Sequence, residues 1–123
     1  MTSRFANRLR CAVLVAALAS STGAAGRAAL TSRVWPAVAL APASVRIEVL
    51  VASHQDNRML RIVMDSGTYL RSSSISLEGD RAARVHNVTY RGLPAGYYDV
   101  QIELFDQKGS LRAIEHHWVN LIS

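Results

Sequence analysis

The sequence predicts a small all-β protein, an antiparallel β-sandwich of about six to seven strands that follows a helical signal segment and a linker. Three observations predict it. The stretch from Gly92 to Gly109 is a tight turn, a strictly alternating run and a second turn. Other short runs of Val, Ile, Leu, Met and Tyr recur after position 44 at spacings of roughly 8 to 15 residues, separated by polar turn clusters. No helical period of useful length interrupts them, which argues against an α/β arrangement.

The first 25 residues have the three parts of a secretory signal: a basic start (Arg4, Arg8, Arg10), an apolar run from Cys11 to Ala19, and small residues from Ser20 to Gly26. Gly23 and Ala25 suit the small positions before a cleavage point. The protein is therefore expected to be exported, to a periplasm or beyond. The apolar stretch is short of the ~20 residues a membrane helix needs, so membrane attachment is expected only if the leader is retained. Cys11 opens the apolar run instead of following it, which does not fit a lipid-anchored Cys. It is also the single cysteine, so cleavage leaves a chain without disulfide, thiolate ligand or cysteine nucleophile.

Residues 26–43 read as a linker, rich in Ala and interrupted by Pro36 and Pro42. Trp35 within it fits a residue packed loosely on the sandwich edge or an exposed contact residue. The sandwich itself is placed at residues 44–123. Val45, Ile47, Val49 and Val51 alternate with Arg46, Glu48 and Leu50 and give a first strand, which ends at the polar cluster from Ser53 to Asn57. A second strand runs from Met59 to Met64 and closes at Asp65-Ser66-Gly67. Tyr69 to Glu78 is a weaker third, with serines that suggest a wet face or an edge. After the turn at Glu78-Gly79-Asp80, Val85 to Arg91 is the fourth. In the fifth, Tyr98, Val100, Ile102 and Leu104 share one face while Asp99, Gln101 and Glu103 share the other. Leu111 to Leu121 is the sixth, and its mixed parity suggests a bulge.

The turn into the fifth strand is chemically specific. Pro94 presets φ, and Gly92 and Gly96 permit positive φ. The motif Leu93-Pro94-Ala95-Gly96-Tyr97-Tyr98 resembles the tyrosine corner of immunoglobulin-like and fibronectin type III-like domains. Similar turns occur in transthyretin-like and carboxypeptidase-regulatory-like modules. The resemblance implies that Leu93 and Tyr98 fill the corner, with the Tyr98 hydroxyl bonded to a backbone group a few residues upstream. The Cys pair and core Trp of antibody domains are missing, which excludes that subclass.

The net charge of +5 misleads when taken over the whole chain. Five of the 14 basic residues precede position 46, where no acidic residue occurs, and the remaining nine balance nine acidic ones. A neutral domain with interspersed signs lacks the basic stripe that neutralises phosphates, so nucleic acid is excluded as a partner.

Few residues carry candidate chemistry. His116 and His117 adjoin on a strand and point to opposite faces, so a shared metal would need His54, His86 and one of them to converge. Asp56, Asp65, Asp80 and Asp106 all fall in turns, where Asp bonds its own backbone. The run Ser72-Ser73-Ser74 lacks a nucleophile-elbow context. Asn87-Val88-Thr89 is a glycosylation sequon inside a predicted strand, a chance match. These readings lead to the expectation of a protein that is not an enzyme and uses no cofactor. It is expected to be a non-catalytic exported module for binding protein or glycan, or for envelope structure, with Tyr69, Tyr97 and Trp118 as candidate contacts. The alternative expectation is a small periplasmic carrier of a metal or ligand held by His54, His86, His116 and His117.

Overall fold

A computed structural model describes residues 28–123. The expected signal segment at residues 1–25 lies outside the described residues. Eight strands follow in order: β1 (Leu30–Trp35), β2 (Val38–Leu40), β3 (Ala43–Val51), β4 (Met59–Asp65), β5 (Leu70–Ser76), β6 (Val85–Leu93), β7 (Gly96–Phe105) and β8 (Leu111–Ile122). They form two sheets, a three-stranded one ordered β1-β3-β6 and a five-stranded one ordered β2-β8-β7-β4-β5. The expected all-β sandwich is what the chain forms. All pairings are antiparallel except β2 with β8, which is parallel.

The inward residues follow from period two. Val45, Ile47 and Val49 of β3 meet Leu60, Ile62 and Met64 of β4 and Val100, Ile102 and Leu104 of β7 in one fully buried core. Tyr90 on β6 reaches across to the other sheet, where its hydroxyl donates to Ser73 Oγ on β5 at 2.6 Å. β5 is an exposed edge strand, as its serines suggest, and ends at Ser76, two residues short of the expected Glu78.

Residues 26–43 were expected to be a linker, and from Leu30 onward they are instead part of the sandwich. β1 pairs with β3 from Leu30↔Val51 to Trp35↔Arg46, and β2 pairs with β8. Leu30 is buried, and Ser32 and Val34 also face inward. The alternation is obscured because one inward position is a serine. The prolines are tolerated because both strands are short edge strands and the chain changes sheet between them.

The corner forms as the motif implies. Tyr98 and Leu93 are fully buried, and the Tyr98 hydroxyl donates to the Pro94 carbonyl at 2.8 Å. Burial pushes the Tyr98 pKa up, and the Ser66 hydroxyl partly offsets this. Gly92 adopts φ +64, whereas Gly96 does not take positive φ. Gly96 is required for space instead: a Cβ there would sit 3.0 Å from the Ser66 Cβ and 3.5 Å from the Tyr98 ring.

In β8 the register irregularity lies opposite Leu104 and Phe105, and from Ala113 to Leu121 alternation is regular. The parity is hard to read because Glu115 and His117 face inward while Ile114, Trp118 and Ile122 face solvent, the reverse of what polarity suggests.

Candidate functional site

The outer face of the five-stranded sheet carries an aromatic cluster at the junction of β7 and β8. Tyr97 pairs with Asn120, and Asp99 with Trp118, so Tyr97 and Trp118 are diagonal neighbours on one face. Their rings stack at 5.0 Å with 21° between planes. His116, two residues along β8, lies beside the indole at 5.2 Å and 49°. His116 Nε2 in turn contacts an Asp99 carboxylate oxygen, and Gln101 donates to the other oxygen of Asp99 at 3.3 Å. Asp99 and Gln101 on β7 thus brace His116, the end of the row Tyr97, Trp118, His116.

Aliphatic side chains extend this cluster toward the β2 edge. Val38 and Leu40 lie beside Asn120 and Ile122 on the same face. Leu40 is 74% exposed, Tyr97 57% and Trp118 49%. Toward β4 the face becomes charged but self-compensated: Arg61 Nε donates to Glu103 at 2.9 Å and the guanidinium lies over Phe105. The hydrogen bond that Arg61 donates to Glu103, and the negative charge of that carboxylate, hold the Arg61 pKa above the ordinary arginine value. The face thus has an apolar centre and a polar margin whose charges are paired.

Of the three expected contact residues, the fold brings Tyr97 and Trp118 together and leaves Tyr69 apart. Tyr69 is half-buried and packs against the core, and its hydroxyl accepts a hydrogen bond from Arg71 Nη1 at 3.2 Å. It precedes β5 in the inward phase, which is why an aromatic at a turn is not an exposed contact here.

The four histidines do not converge. His54 lies in the loop after β3, near Asp56, and His86 on β6 bonds to the Ala83 carbonyl at 2.8 Å. His116 faces solvent and His117 faces inward. Among the described residues no group of three or more His, Cys, Asp or Glu side chains is placed to hold a metal ion.

One polar cluster was not anticipated. Ser32 on β1 donates to Glu115 Oε1 at 3.2 Å and lies 2.6 Å from His117 Nε2. With the serine proton directed to Glu115, His117 donates from Nε2 to the serine oxygen. That polarity is opposite to a histidine withdrawing a serine proton, and Glu115 meets the serine instead of the second imidazole nitrogen. The cluster satisfies the inward polar groups of β8 where β1 covers them. Its sequence signal was a serine at an inward position of a strand that had been read as a linker.

The fold and this face define an all-β sandwich with a half-exposed aromatic row on its larger sheet. No protein-family model and no curated protein matches the chain. Among solved structures it is similar in fold to a superoxide reductase (neelaredoxin) from Ignicoccus hospitalis, with a TM-score of 0.59 at 11% identity, over 76% of this chain and 80% of that one. That likeness concerns the fold alone. It nevertheless overturns the expectation that the protein is not an enzyme, because a sandwich of similar form is the scaffold of that superoxide reductase, an enzyme.

Proposed function

We propose that the protein is an exported recognition module that holds a protein partner on the outer face of its five-stranded sheet. The observation that carries this reading is the stacked pair Tyr97 and Trp118, half-exposed, continuous with Val38, Leu40 and Ile122, and braced by Asp99 and His116. Fixed aromatic rings lose little entropy on binding and commonly dominate interface energetics. The corner around Tyr98 supports kinship with immunoglobulin-like and fibronectin type III-like sandwiches, and the leader supports export.

The test is capture from an envelope extract of the native host, comparing wild type with Tyr97→Ala/Trp118→Ala, followed by titration of the captured protein in purified form. The reading expects a direct partner whose affinity falls about 30-fold or more in the double variant, the loss of a central aromatic hot spot. A partner bound equally by both proteins would refute it.

A further inference from the structure

The opposite side of the sandwich carries a different surface. The outer face of the β1-β3-β6 sheet presents Arg33 and Trp35 from β1 and Arg46 from β3, with Trp35 and Arg46 directly paired. Both guanidinium groups lie over the Trp35 ring, at 5.7 Å and 5.6 Å from its centroid. Neither makes an ion pair among the described residues. Glu48, the strand partner of Arg33, is the one acidic residue on this face, and Arg91 on β6 is a third exposed cation of the sheet. Leu50 and Val85, paired at the far end, are exposed aliphatics on the same face.

From this surface we infer that the protein docks on an anionic lipid membrane through Arg33, Trp35 and Arg46. Arg33 and Arg46, which make no ion pair among the described residues, match lipid phosphates, which guanidinium groups bind in bidentate fashion. A partly exposed indole suits the headgroup level, and Leu50 and Val85 supply apolar contact that a soluble polyanion would not use. Because the two outer faces point in opposite directions, docking here leaves Tyr97 and Trp118 directed away from the lipid. The inference stands independently of the partner-binding reading.

The experiment uses the full chain with Trp118→Phe, which leaves Trp35 as the single indole of the two in the sequence. Vesicles of phosphatidylglycerol with phosphatidylcholine are compared with phosphatidylcholine alone, by co-sedimentation and by Trp35 emission. Stronger partitioning and a blue shift are expected with the anionic vesicles, both weakening as salt rises. Any contribution of the leader is common to all variants. Arg33→Gln/Arg46→Gln is expected to lower partitioning to anionic vesicles about 20- to 30-fold, from roughly one kcal/mol for each arginine near the surface. Thr89→Glu, a change at an exposed strand position opposite Arg46, lowers it without removing either arginine. Equal partitioning to both vesicle types, unchanged partitioning in these variants, or a Trp35 response to soluble heparin but not to vesicles would overturn the inference.

Discussion

Replacing Tyr98 by Phe removes one hydroxyl from a fully buried ring and leaves the ring's packing in place. The hydroxyl donates to the Pro94 carbonyl at 2.8 Å, locking the turn onto the strand it feeds. A neutral intramolecular hydrogen bond contributes about 0.5 to 1.5 kcal/mol net. Pro94 is itself exposed, so water can reach its carbonyl in the variant, and the loss should be about 1 kcal/mol instead of the larger cost of an orphaned buried acceptor. For a domain of this size that lowers Tm by roughly 4 to 8 °C. Urea unfolding at neutral pH should show a lower midpoint with an unchanged slope. A second arm uses pH. Burial raises the Tyr98 pKa above 10.0, so the folded state holds its proton more tightly than the unfolded chain. The corresponding stability is complete below the unfolded-state value and is lost as pH rises through the folded-state value. The advantage of wild type over Tyr98→Phe should therefore shrink above pH ~10. A variant as stable as wild type at neutral pH, or an advantage that grows in alkali, would refute the corner as a stabilising device.

Other outcomes follow from the same coordinates. Ile62→Ala opens a cavity where β4 and β7 pack on β3, and should cost about 2 to 5 kcal/mol by urea titration. Gly92→Ala places a Cβ on a backbone at φ +64 with open space around it, so the cost should be the conformational strain alone, about 1 to 2 kcal/mol. Ser32→Ala removes the donor to Glu115 and the partner of His117, at a cost of about 1 to 3 kcal/mol, while Ser32→Thr keeps the hydroxyl and should restore most of it.

The parts of the fold that sequence reveals are those where polarity and period agree. The strands from Val45 to Val51 and from Tyr98 to Leu104 put apolar residues on one face at every second position, and both formed as expected. The corner was legible because Pro94, two glycines and a tyrosine allow few geometries. β1 escaped notice because its inward face includes Ser32, whose partners Glu115 and His117 come from a strand more than 80 residues away. The same long-range contact hid the phase of β8, since an inward Glu and His look like a solvent face until β1 covers them. For the site, Tyr97 and Trp118 could each be named, but their stacking depends on the β7–β8 register. That Tyr69 lies half-buried against the core and apart from these two is not legible in the sequence, because a turn aromatic can fold back on the core. The apolar extension through Val38 and Leu40 was out of reach while those residues were taken for a linker. The guanidinium pair over Trp35 needed the β1–β3 register in the same way.

The central claim is that recognition belongs to the outer face of the five-stranded sheet. Its most direct test is photo-crosslinking in the native host, with a photoreactive phenylalanine analogue placed either at Ile122 beside the aromatic row or at Asn87 on the opposite sheet. A discrete protein adduct is expected from Ile122, lost when Tyr97 and Trp118 are both changed to Ala, with no protein adduct from Asn87. The same protein adduct from Asn87, or an Ile122 adduct that survives the loss of both aromatics, would contradict the claim.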